Sequence, residues 1–161
     1  MKLILKMIML LTLLVSCATQ QERAERRAQT QKAVNEAMES RQWRIDITSM
    51  RPFRYGSRMV SSDFYVELRN DTLRSYLPYL GQVYWKPPTL MPSIGLNFEE
   101  PVLRYQQDPQ KAHGHQIGIY VKTEEDTYLY AIDFNDSGEA TIRVRSNNRD
   151  PIGFDGNIRC K

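Results

Sequence analysis

The sequence predicts an α+β fold, with an N-terminal helix packed on a curved antiparallel β-meander of roughly seven to nine strands. Three observations carry this expectation. A stretch of helical period ends near Gln42, the period changes to two from Trp43 onward, and short polar links join the alternating runs. The same pattern suits a sheet curled into a half-open barrel or a flatter sheet with the helix across one face.

The first element is a leader. Lys2 and Lys6 give a positive start, Met7 to Val15 a short apolar core broken only by Thr12, and small Ser16 precedes Cys17. That core is far shorter than the roughly 20 apolar residues a membrane-spanning helix needs. Leu14-Val15-Ser16-Cys17 resembles the lipobox of bacterial lipoproteins, an aliphatic, small-or-branched, small, cysteine pattern. The resemblance implies that Cys17 takes a diacylglycerol on its sulfur, that cleavage falls just before it, and that the new amine is acylated. At roughly 0.8 kcal/mol per buried CH2, several acyl chains hold far more firmly than one myristoyl chain. The expected organisation is a lipoprotein signal peptide over 1–16, a lipid-anchored helical tether over 17–42 and an antiparallel β domain over 43–161.

The tether is rich in Gln, Glu, Arg and Ala and has no Gly or Pro. Ala24, Ala28, Ala33-Val34 and Ala37-Met38 recur at helical spacing, a thin apolar stripe on a polar helix. Large apolar residues are confined to its second half, the half expected to pack on the domain. Arg23, Arg26 and Arg27, interleaved with Glu22 and Glu25, suit a solvated helix face more than contact with anionic headgroups, the other reading open to basic residues near a membrane.

Strands follow. Trp43, Ile45 and Ile47 alternate with Arg44, Asp46 and Thr48, and Phe64, Val66 and Leu68 alternate with Tyr65, Glu67 and Arg69. Ile117, Ile119 and Val121 form a third stripe, Tyr128, Tyr130, Ile132 and Phe134 a fourth, and Ile142 with Val144 a fifth. Asn70-Asp71, Glu124-Glu125-Asp126 and Asn135-Asp136-Ser137-Gly138 are hairpin links, where Asn, Asp and Gly tolerate positive φ. Links this short join antiparallel neighbours and exclude βαβ crossovers.

The middle is aromatic. Tyr76, Tyr79, Tyr84 and Trp85 fall within ten residues, followed by Pro87-Pro88 and Pro92, which exclude an interior strand. These rings suit either the wall of a ligand pocket or interface, or the core of a small sheet turning its corner at Pro78. Asp71-Thr72-Leu73, Ser75-Tyr76-Leu77-Pro78-Tyr79, Gly81 and Tyr84 resemble the central signature of a family of Bacteroidetes lipoproteins known as domain of unknown function 4251. Gly95-Leu96-Asn97-Phe98, Ser146-Asn147-Asn148-Arg149 and Gly156 are similar to the same family's pattern. Leu80 stands where that pattern has an aromatic, and Asp150-Pro151 interrupts the segment after Arg149. The resemblance implies a periplasm-facing envelope lipoprotein with a mostly β domain, and implies no activity.

Other chemistry is weakly supported. The formal charge of +3 includes Lys2 and Lys6, so the mature chain is nearly neutral and lacks the basic stripe of a nucleic-acid binder. With Cys17 lipidated, Cys160 has no disulfide partner. Asp133 to Gly138 begins like a calcium loop, but its twelfth position is Val144 in place of a bidentate glutamate. His113 and His115 are the only histidines, too few for a zinc site without carboxylate help. Glu99-Glu100 and Glu124-Glu125 are adjacent pairs, not carboxyls facing across a cleft. No nucleophile elbow or phosphate-cradling loop is present.

The expectation is therefore a non-enzymatic, cofactor-free, metal-free lipoprotein attached to a membrane through Cys17. Its domain is a binding module for a small apolar or glycan ligand, or an interaction module that docks on an envelope protein complex. Ala18 after the lipid cysteine points to the outer membrane. The weak acidity of Thr19 to Glu22 points to its periplasmic face.

Overall fold

The computed structural model describes residues 2–84, 95–108 and 114–159, with side chains from Gln20 onward. Within them, helix α1 (Lys2–Ser40) precedes nine strands: β1 (Trp43–Pro52), β2 (Arg58–Met59), β3 (Tyr65–Arg69), β4 (Thr72–Pro78), β5 (Gly95–Asp108), β6 (His115–Lys122), β7 (Thr127–Phe134), β8 (Glu139–Ser146) and β9 (Ile152–Ile158). No helix among the described residues is long and apolar enough to cross a membrane.

The fold is α+β and its sheet is an antiparallel meander, as the period predicts, but the meander closes. Strands β3 to β9 follow in spatial order, and β9 pairs with β1 from Ile45↔Ile158 to Pro52↔Ile152. This corrects the half-open alternative: eight strands form a closed barrel, and the two-residue β2 continues the edge of β1 beyond β3. Closure depends on a missing side chain. A Cβ on Gly156 would lie 2.3 Å from the Asp46 carbonyl oxygen and 3.0 Å from Ile45 Cγ2. The register shift between Ile47 and Ser49 lets β1 bend at this seam.

Two long strands turn the corners. The first half of β5, Gly95 to Pro101, pairs with β4, and the second half, Val102 to Asp108, pairs with β6. Pro101 stands at the handover, where its missing N–H does least harm to the ladder. Leu103 sits in the following bulge and is exposed. β1 does the same at the opposite corner, passing from β3 to β2 along one edge while holding β9 along the other. The hairpin expected at Asn70-Asp71 is present, with both residues at positive φ (52° and 55°).

The interior is filled from every strand of the barrel. Ile45, Ile47, Val66, Leu73, Leu77, Ile119, Tyr130, Ile132, Ile142 and Phe154 are all essentially inaccessible to solvent. At one end the second half of α1 lies on the barrel, burying Val34 and Met38, while residues 20–29 remain exposed. Thr30, Ala33, Val34, Ala37 and Met38 make the buried face at helical spacing. The helix stops where Arg41 takes positive φ (51°) and the Gln42 N–H bonds back to the Ala37 carbonyl at 3.1 Å. Met38→Ala should cost about 2–5 kcal/mol, because the cavity opens under a helix that cannot collapse into it. Equilibrium urea unfolding checks this.

Candidate functional site

The barrel end opposite α1 carries the polar network. It is assembled from the segment after β4 (residues 79–84), the β6–β7 turn (123–126), the β8–β9 loop (147–151) and Arg54 after β1. Residues 79–84 form a strap laid against the β8–β9 loop. Tyr84 N–H donates to the Asn148 carbonyl at 2.7 Å, Asp150 N–H donates to the Gln82 carbonyl at 3.0 Å, and Val83 bridges Arg149.

Asp150 is the hub. Its carboxylate accepts from the Tyr84 hydroxyl, from Gln82 N–H at 3.1 Å and from Arg54 Nε at 3.0 Å. Its own carbonyl, with that of Gln82, accepts from the Tyr79 hydroxyl at 3.1 and 3.0 Å. The Tyr84 hydroxyl above all, then Gln82 and Arg54, holds the Asp150 carboxyl below the usual carboxylate range. Burial pushes the Tyr79 hydroxyl up to about 12. A Cβ on Gly81 would meet the Tyr79 hydroxyl at 2.6 Å, so a side chain there would have to displace that hydroxyl from its two carbonyl acceptors.

A second layer fixes the loop from beneath. Buried Arg149 reaches Glu125 at 2.5 Å and places its guanidinium 5.4 Å from the Tyr79 ring centre. Buried Asp126 accepts from the backbone N–H groups of Thr127, Asn147 and Asn148 at 2.8, 3.4 and 3.2 Å. The acceptor sites of Asp150 are thus engaged by structural donors, and the network works as a clasp that ties the strap to the barrel.

Under the clasp the barrel is shut. The crevice bounded by Tyr79, Leu96, Tyr128, Ser146 and Ile152 has no room for a water molecule. Deeper in, Tyr130 Oη and Ser75 Oγ are 2.9 Å apart, and Phe98 stacks on Tyr128 at 5.4 Å. Ser146 Oγ is buried without a hydrogen-bond partner among the described residues. Ser146→Ala should therefore leave stability unchanged or raise it by up to about 1 kcal/mol, a difference that thermal melts resolve.

The aromatic candidates separate. Tyr79 and Tyr84 meet on Asp150. Tyr76 lies apart from them, on the outer face of β4 against Phe64 and Tyr65, with ring centres 5.5 and 6.1 Å away. The inward, core position considered for Tyr76 is corrected by register: Leu73, Ser75 and Leu77 take the inner face, which leaves Tyr76 outside. Trp85, the prolines at 87, 88 and 92, His113 and Cys160 lie outside the described residues, as does the side chain of Cys17. His115 is engaged by Asn35, Nε2 to Oδ1 at 2.8 Å. In the loop that begins like a calcium site, Asn135 Oδ1 accepts from the N–H groups of Ser137 and Glu139, a hairpin arrangement. No group of three or more metal-binding side chains occurs among the described residues. Arg54, Asp126 and Asp150 are absent from the sequence-based candidates, where Asp150-Pro151 figures only as an interruption of the family pattern.

Comparison with known proteins places the chain. Nothing matches among curated proteins. Among solved structures the chain is similar to a DUF4251 family protein from Bacteroides eggerthii DSM 20697, at 15% identity over 80% of this chain and 86% of that one, with a TM-score of 0.57. At that identity the likeness concerns the fold. A family model described as domain of unknown function (DUF4251) matches residues 25–158, from within α1 to the end of β9. That span holds the strap, the loop that clasps it and the seam that closes the barrel, and the chain belongs to the DUF4251 family.

Proposed function

We propose that the protein is a lipoprotein of the cell envelope, held through lipid on Cys17 at the periplasmic face of the outer membrane. Its barrel acts as a non-catalytic binding module that recognises its partner with outer surfaces and not with its lumen. One observation carries this reading. The barrel interior is packed with the chain's own side chains, whereas Phe53, Tyr55, Met59, Tyr76, Tyr84 and Leu103 stand exposed outside it. Exposed aromatic and methionine side chains beside arginine have the composition of interface centres.

The interaction-lipoprotein reading draws on the clasp end. Phe53 and Tyr84 are 66% and 60% exposed, and Arg54 joins them, with its guanidinium 5.9 Å from the Phe53 ring centre and 3.4 Å from the Tyr84 hydroxyl. A partner protein in the envelope complex would seat on that rim.

Anchoring is tested by growing cells with labelled palmitate. The wild-type chain should incorporate label and fractionate with membranes, and Cys17→Ala should do neither. Label on the Cys17→Ala chain, or membrane association without label, would contradict the lipoprotein reading.

A further inference from the structure

Beside the helix end of the barrel lies an open groove of about 540 Å³, between α1 and the ends of β1, β3 and β9. That volume falls in the range of small-molecule sites, about 300–1,000 Å³. Trp43, Leu68 and Ile158 close its floor; all three belong to the core, and only the edges of Trp43 and Ile158 reach the groove. The helix contributes Ala33 and Ala37, whose small side chains leave the space open. Arg44, Arg69 and Arg159 stand along the rim with Glu36 and Glu67.

The charges on this rim do not cancel. Glu36 has Lys32 at 3.7 Å and Glu67 has Arg74 at 3.7 Å, so both acids face a base from outside the groove, Arg74 being shared with Glu99 at 2.8 Å. Arg44 and Arg159 share one carboxylate, Asp46, at 2.9 and 2.7 Å. Arg69 makes no ion pair or side-chain hydrogen bond among the described residues. An apolar floor is thus edged by guanidinium groups in excess of the acids that meet them.

We propose that this groove binds a single-chain amphiphile with an anionic head, its hydrocarbon along Ala33, Ala37 and the accessible edges of Trp43 and Ile158 and its carboxylate or phosphate on Arg69 with Arg44 and Arg159. Guanidinium is suited to that head because its planar donors meet such oxygens in pairs. The proposal rests on the reading of the barrel as a binding module with a filled lumen, and names its ligand class. It does not depend on the lipid anchor.

The test uses the full mature chain carrying Cys17→Ser, titrated calorimetrically with laurate below its micelle-forming concentration and with uncharged monolaurin as comparison. Saturable binding of one laurate is expected, with Arg69→Glu and monolaurin each weakening it by about tenfold or more. Ala33→Phe, which fills the groove from the helix side, should abolish it. If Ala33→Phe does not fold, the double variant Arg69→Glu/Arg159→Glu replaces it and should abolish binding as well. Absence of saturable heat, equal affinity for monolaurin, or undiminished binding in the variants would overturn the proposal. So would binding confined to anionic phospholipid vesicles, which would mark a membrane contact instead. Failure here leaves partner recognition at the clasp rim standing. Failure of palmitate labelling leaves this titration unaffected.

Discussion

Gly156→Ala should prevent the barrel from closing. The added methyl would sit 2.3 Å from a backbone carbonyl oxygen of β1, an atom that cannot swing away as a flexible side-chain end can. Relief requires the β1–β9 seam to part, and that seam is the only reason the meander is a barrel and not an open sheet. Parting it would expose two strand edges and unpack Ile45 and Phe154 together. The expected loss exceeds about 4 kcal/mol, the range reserved for gross steric or packing failure. The soluble yield should collapse, or the melting temperature fall by more than about 10 °C. Gly118→Ala in β6 is the control: its nearest neighbour is Leu129 Cδ1 at 4.0 Å, so the change should stay within about 0.5 kcal/mol. Equal melting temperatures for the two variants would refute the seam as described.

Asp150→Asn should open the clasp without opening the barrel. The amide keeps the size of the carboxylate but loses its charge and half of its acceptors, so Tyr84, Gln82 and Arg54 can no longer all donate to it and Arg54 loses its counter-charge. The strap over 79–84 should then be cut by protease about tenfold faster or more, while strand amides stay protected. Acid should do the same to the native chain. Because the Asp150 carboxyl is held below its unfolded value of about 3.9, its contribution is complete above that pH and fades as pH falls through the folded value. Wild-type strap protection should therefore drop below about pH 4, and the drop should be absent from Asp150→Asn. Strap cleavage that is indifferent to both the substitution and acid would show that Asp150 is not the hub.

Much of the fold was legible because most of its elements obey one period. β1, β3, β6, β7 and β8 alternate as the sequence does, and Val34 and Met38 bury the face that Ala33-Val34 and Ala37-Met38 mark. β5 and β9 were not legible. β5 exchanges partners at Pro101 and bulges at Leu103, and β9 interrupts its stripe with Gly153 and Gly156. Closure leaves no trace in alternation, since an open and a closed meander present the same inward residues; only the contact at Gly156 distinguishes them.

The site was legible in its aromatic half. Tyr79 and Tyr84 stood out by type, yet the carboxylate that joins them lies some seventy residues on, |i−j| = 71 and 66, and nothing local ties it to them. Asp150 read as an interruption of a pattern because its partners come from two distant segments, Arg54 after β1 and the strap over 79–84. Tyr76 shows the reverse: Leu73 and Leu77 on its own strand already assign it to the outer face.

The measurement that bears most directly on a filled barrel with ligands outside is native mass spectrometry of the non-lipidated mature chain purified from a periplasm. A filled barrel gives either the bare protein mass or an added mass that disappears in Ala33→Phe. An added mass that survives Ala33→Phe and Arg69→Glu, and is lost only on denaturation, would put cargo inside the barrel and contradict it.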